Sequence, residues 1–179
     1  VKNLNGLFVL EQCRRKWQRE LGRSLEWEEI IQAAEKAPPA GCELDTDAPE
    51  YSSIREDMPG EIRRACERAG RPLEGEEMGA VARCVFQSLA AKAGQALRRV
   101  DELAGHKTDR VYLVGGGTRN VLLCRLIAEA AGVPCVVRST ETSSMGNLAL
   151  QLQAAGETAN LAEARAVVDA SFGETVYAP

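Results

Sequence analysis

Apolar positions along the first twenty residues recur every three or four places. Leu4, Leu7, Phe8, Leu10, Cys13, Trp17 and Leu21 fall into such a row, with Arg14, Arg15, Lys16 and Arg19 between them. This spacing predicts an amphipathic helix over 4–21. Ser24 is placed to cap a second helix over about 25–37, with acids in its first turn and Pro38-Pro39 at its end. Residues 41–56 are dense in turn formers and read as irregular. Pro59 is suited to the first turn of a short helix running to Ala69, closed by Gly70 and Pro72.

The strongest pattern follows. Met78, Val81, Val85, Phe86, Leu89, Ala93, Ala96, Leu97, Val100 and Leu103 form one long stripe, which predicts a central core helix. The period then changes. Arg110–Val114 reads as a buried strand, Arg119–Ala131 as a helix through Leu122, Leu123, Leu126, Ile127 and Ala130, and Pro134–Arg138 as a second strand. This is a β-α-β unit, whose strands must be parallel and joined by a right-handed crossover. Further helices are expected near 143–155 and 161–171, and a short tail ends in Val176-Tyr177. Two parallel strands cannot make a sheet alone, because such sheets need more strands and cover on both faces. Either Cys42–Leu44 and Val176–Tyr177 join it, or further strands precede Val1; the second reading is favoured. Val1 is not an initiator methionine, and the chain is expected to start inside a longer polypeptide.

Composition narrows the chemistry. The formal net charge is −4, and basic residues are scattered among acids, which argues against a nucleic-acid surface. No run of eighteen apolar residues is present, so no membrane-spanning helix is expected. Six cysteines without C-x-x-C spacing, with His106 the single histidine, make a zinc site improbable. Free thiols on apolar faces fit a reducing cytoplasm. Cys66 and Cys84 fall on consecutive helices, within possible reach of each other.

Candidate chemistry concentrates in VYLVGGGTRN, residues 111–120, where a strand ends in three consecutive glycines and a helix begins. A phosphate loop of the G-x-x-x-x-G-K-[ST] type needs a lysine, and none follows these glycines. A G-x-G-x-x-G dinucleotide fingerprint lacks its last glycine, since Asn120 stands there. A dinucleotide-binding module stays as the weaker rival, and two further readings stay open on the residues alone. The bare backbone of Gly115, Gly116 and Gly117 can lie against a nucleotide or phosphate, with Asn120 offering one hydrogen bond. Or the turn is tight because it packs on a neighbouring helix.

VYLVGGGTRNVLLCRLIAEAAGVPCVVRSTETSSMGNLALQL resembles the C-terminal ATPase-domain segment of the FGGY carbohydrate kinases, and the likeness is nearest to the rhamnulokinases. VKNLNGLFVLEQCRRKW is similar to their K-N-x-x-G-L-W-L-L-Q helix. YSSIREDMPGEIRRACERAGRP resembles their N-P-x-x-M loop with the cysteine-bearing helix after it, VARCVFQSLA the start of their long core helix, and ETSSMGN their E-A-T-A-L-G-N. The four matches stand in the family's order.

The resemblance implies an actin-like, ribonuclease-H-like α/β fold, helix-rich, with ATP in a cleft between two domains. Residues 1–179 would be the C-terminal nucleotide-binding domain, in part, of a two-domain sugar kinase. The implied substrates are MgATP and a small sugar, with L-rhamnulose the expected acceptor and another ketose or polyol the alternative. Gly115, Gly116 and Gly117 carry over as nucleotide contacts, and Asn3 matches the family's asparagine in K-N-x-x-G. Glu11 stands where the family has glutamine, with Gln12 next to it; a carboxylate near phosphates is repulsive unless Mg²⁺ or an arginine is close. Ser52-Ser53-Ile54-Arg55 departs from the asparagine-proline pattern, so no contact is carried over there. The family's catalytic Asp and first phosphate loop belong to its N-terminal part, and the remaining partner is therefore that other domain. Asp45, Asp47 and Asp57 read as solvated or capping, His106 as a solvated residue at a helix end, and Trp17 and Trp27 as core or interface residues. A non-catalytic scaffold that kept the fold is the reading from another class.

Overall fold

The computed structural model describes residues 7–138 and 140–179. Helix α1 spans Phe8–Leu21, α2 Trp27–Lys36, the one-turn α3 Pro49–Ser52, α4 Met58–Arg68 and α5 Glu77–Ala104. Strand β1 (Val111–Leu113) leads through a 3-10 turn (Gly116–Arg119) into α6 (Val121–Ala131), then β2 (Cys135–Val137). Helices α7 (Thr142–Ala154) and α8 (Leu161–Ser171) precede β3 (Thr175–Tyr177).

The predicted helices form, with differences at α2, α5 and α6; α6 starts at Val121, not Arg119, because Asn120 caps it and Arg119 belongs to the 3-10 turn. Helix α2 starts at Trp27 because Glu26, not Ser24, caps it: Glu26 and Glu29 exchange side-chain and backbone hydrogen bonds in a capping box. Arg23 holds Glu29 at 2.6 Å and keeps that carboxyl at about 2. In α5 the apolar stripe is core only from Gly79 to Gly94; Val100 is 55% exposed and Leu103 73%. The end of the stripe therefore runs past the core instead of through it.

Helices α1, α2, α4 and α6 all pack on α5. Val9, Leu10, Ile30, Met58, Ile62, Val81, Val85 and Phe86 are fully removed from water in one cluster. Two glycines of α5 permit this packing. A methyl on Gly79 would lie 2.6 Å from the Ala33 carbonyl oxygen of α2, and one on Gly94 would lie 2.8 Å from the Ala130 carbonyl carbon of α6. Helix backbones that approach so closely leave no room for a side chain.

The sheet has the order β1-β2-β3. Strand β1 is parallel to β2 with Val111 opposite Cys135, as the β-α-β pattern requires, and β3 is antiparallel to β2 with Val176 opposite Val136. The tail thus supplies the third strand. Cys42–Leu44 does not; Leu44 N instead donates to Ser88 Oγ at 2.9 Å, pinning that loop to α5. Among the described residues the other edge of β1 carries no strand.

Candidate functional site

The glycine turn is built by its own residues. Gly115 has φ 86° and ψ 179°, a conformation that side-chain-bearing residues rarely adopt. Its carbonyl then accepts from Thr118 N at 3.1 Å and from Thr118 Oγ1 at 2.7 Å. Asn120 N donates to the Gly117 carbonyl at 3.1 Å, and Asn120 Oδ1 caps α6 by accepting from Leu123 N at 2.9 Å. Cys124 Sγ contacts the Thr118 carbonyl at 3.6 Å. The turn is therefore closed before any ligand arrives. Asn120 is 6% exposed and its oxygen is committed to the cap, so only its NH₂ group is left to donate to a ligand.

Among the described residues, nothing supports the packing explanation at the middle glycine. Among the described residues, a methyl group built on Gly116 would have no heavy atom within 4 Å. Gly116 is also not in the left-handed region, so its backbone sets no demand for glycine. Gly79 and Gly94 show what a packing glycine looks like in this protein, and Gly116 is unlike them. Gly117 has one neighbour, Leu7 Cδ1, at 4.0 Å from such a methyl.

Leu7 brings the start of α1 to the turn. One helical turn later stands Glu11, whose N–H donates to the Leu7 carbonyl at 2.8 Å. The condition attached to a carboxylate at this position is met. Arg15 Nε lies 3.1 Å from Glu11 Oε1, and Arg14 Nη1 lies 3.5 Å from Oε2. Arg14 is also bonded to the Leu25 carbonyl at 2.7 Å and stacked over Trp27, 5.0 Å from the ring centroid. Gln12 is no stand-in for Glu11: it is buried, and its Oε1 accepts from Arg55 N at 2.7 Å. Asn3 lies outside the described residues. Leu7, Thr118 and the two arginines are not marked for this site by the sequence pattern. Only Thr118, a hydroxyl three places after the first glycine, carried a local signal.

The other candidates have structural work. Asp57 caps α4 through Gly60 N at 3.1 Å, while Asp45 and Asp47 hold Lys92 at 2.7 and 2.6 Å. Trp17 is core, and His106 is exposed. Cys66 Sγ and Cys84 Sγ lie 3.7 Å apart as free thiols. Burial pushes Cys66 far up and Cys84 to about 11. Among the described residues no group of three or more His, Cys, Asp or Glu could hold a metal ion, and no helix is long and apolar enough to cross a membrane.

Comparison with known proteins decides the family. A family model described as the FGGY family of carbohydrate kinases, C-terminal domain, matches residues 1–155. The chain belongs to the FGGY carbohydrate kinases. Within that family it is 30% identical over 179 residues to a rhamnulokinase of Bacteroides thetaiotaomicron, covering all of this chain and 36% of that protein. It is 38% identical over 122 residues to a rhamnulokinase of Klebsiella pneumoniae subsp. pneumoniae, covering 68% of this chain and 25% of that protein. The crystal structure of gluconate kinase from Lactobacillus acidophilus shares the fold, with a TM-score of 0.55 at 20% identity over 98% of this chain and 34% of that one. The chain thus spans about a third or less of the length of each of these proteins.

Proposed function

We propose that residues 1–179 are the nucleotide-binding C-terminal portion of an ATP-dependent sugar kinase that moves the γ-phosphoryl group of MgATP to a sugar hydroxyl, with the 1-hydroxyl of L-rhamnulose as acceptor. The observation that carries the nucleotide is Gly116. It sits in an ordinary backbone conformation with, among the described residues, open space where a side chain would go, at the end of β1 and just before α6. A bare backbone facing open space is what a ligand lying along the chain requires. Gly115, Gly117 and the NH₂ group of Asn120 flank that surface, and the Glu11 carboxylate of α1 is ion-paired with Arg14 and Arg15. The likeness to two rhamnulokinases supports the choice of acceptor.

In this reading Mg²⁺ enters on the phosphates of ATP and neutralises charge that develops during transfer. The general base and the other half of the phosphate cradle come from the rest of the longer polypeptide, since Asp45, Asp47 and Asp57 are tied to a lysine or a helix cap. Closure of the other domain over the glycine turn completes the site and keeps water from taking the phosphoryl group.

The test is a coupled kinase assay on the intact protein with MgATP and a panel of ketoses and polyols. L-Rhamnulose should give the highest kcat/KM, and Gly116→Val should raise KM for ATP at least tenfold while leaving KM for the sugar unchanged. A different preferred sugar would revise the acceptor. Absence of ATP-dependent phosphorylation across the panel, or an unaffected KM for ATP in Gly116→Val, would overturn the reading.

A further inference from the structure

We propose that Arg119 is the surface on which the base of the nucleotide rests, an inference that stands on the nucleotide reading of the glycine turn. Two of the three side chains that end the turn are already engaged. The Thr118 hydroxyl is committed to the Gly115 carbonyl, and the Asn120 oxygen to Leu123 N. Arg119, between them, is exposed and has neither a hydrogen bond nor an ion pair among the described residues. Nearby arginines are held: Arg125 by Glu35, Arg15 by Glu11, and Arg138 by Asp169 and Glu174. At this turn, then, a planar cation is left over with no role inside the chain.

Position separates base from phosphate. A 3-10 turn rises about 2 Å per residue, which sets Arg119 about 6 Å beyond Gly116, roughly the span of a ribose. The residue after Asn120 is Val121, 46% exposed, so the start of α6 carries exposed apolar surface as well. An anion at the start of α6 would compete for ground that Asn120 Oδ1 already occupies as the cap. A flat, weakly charged group suits the place better than a phosphate does. Guanidinium planes stack on aromatic faces because they are delocalised and weakly hydrated. This chain does so twice already, with Arg14 over Trp27 at 5.0 Å and Arg138 over Tyr112 at 5.8 Å.

The experiment measures binding of ADP, adenosine and inorganic tripolyphosphate to the intact protein and to Arg119→Ala, Arg119→Lys and Arg119→Tyr. If the base rests on Arg119, Arg119→Ala weakens ADP and adenosine by the same factor, roughly tenfold for a lost stacking platform. Tripolyphosphate binding is then unchanged. Lysine keeps the charge without the plane and does not restore affinity, whereas tyrosine restores part of it. The melting temperature of Arg119→Ala should match the parent, since the side chain has no internal partner. Weakened tripolyphosphate with adenosine unaffected would overturn the inference in favour of a phosphate contact, and so would full rescue by lysine. Unchanged binding of all three ligands overturns it as well. Gly116→Val tells the two claims apart. If it abolishes ADP binding while Arg119→Ala does nothing, only the role of Arg119 falls; if it leaves ADP binding intact, the glycine turn is not the nucleotide site.

Discussion

Thr118 Oγ1 donates to the Gly115 carbonyl at 2.7 Å, so the residue that closes the glycine turn is bonded to the residue that opens it. Gly115 can turn its carbonyl inward only because its φ of 86° is open to glycine. Thr118 is 8% exposed, and its loss would leave that carbonyl with the backbone bond alone. Thr118→Val should therefore cost about 1 kcal/mol of stability, and Thr118→Ser should cost less. Denaturant midpoints of the two variants in the intact protein check this; equal midpoints would mean that the hydroxyl does not hold the turn.

Glycines with different reasons should respond differently to the same methyl group. Gly94→Ala forces a methyl against the Ala130 carbonyl and should destabilise by about 1–3 kcal/mol, the usual range for an overpacked core. Gly116→Ala meets open space in an ordinary backbone conformation and should leave the melting temperature unchanged. Its effect should appear in nucleotide affinity instead. Thermal melts with and without MgADP separate the two outcomes.

Asn120 combines a structural oxygen with a free NH₂ group, and two substitutions separate them. Asn120→Ala removes the cap on α6 and should cost about 1 kcal/mol. Asn120→Asp keeps an oxygen for Leu123 N and places a negative charge in the first turn of the helix, so stability should be preserved. The same aspartate loses the donor and repels phosphates. ADP affinity should therefore fall in Asn120→Asp despite an unchanged melt, and a parent-like affinity would show that the side chain does not reach the nucleotide.

The buried thiols give a pH signature. Burial raises Cys84 to about 11, and Cys13 and Cys66 higher still, from an ordinary value of 9.0. Between the unfolded and folded values the native state keeps protons that the unfolded chain gives up. These groups therefore contribute fully below pH 9 and progressively less as pH rises towards 11 and beyond. Urea midpoints should be flat from pH 7 to 8.5 and fall steeply by pH 10.5. Alkylation by iodoacetamide at pH 8 should be slow until the protein is unfolded, because the thiolate is the reactive form.

Much of the fold is legible in local pattern. Helices α1, α4, α5, α6 and α8 follow from apolar spacing, and the parallel pairing of β1 with β2 follows the strand, glycine turn, helix, strand pattern of a β-α-β unit. The same holds for the glycine turn as a candidate site, because three adjacent glycines between a strand and a helix need a cause that a turn alone does not provide. These are properties of neighbours in sequence, set by backbone period and by which residues tolerate which dihedral angles.

What the chain alone did not disclose depends on distant partners. Whether Val100 and Leu103 are core or surface depends on where α5 outruns the helices packed on it. Val176 becomes a strand residue because Val136 offers it an open edge. Glu26 displaces Ser24 as the cap by reciprocating with Glu29, and Glu11 is paired with side chains folded back from Arg14 and Arg15. Gly94 and Gly116 are the same residue in the sequence. Only the tertiary structure shows that one is pressed against Ala130 while the other, among the described residues, faces open space, because the space around a Cα is set by chain segments that no local pattern names.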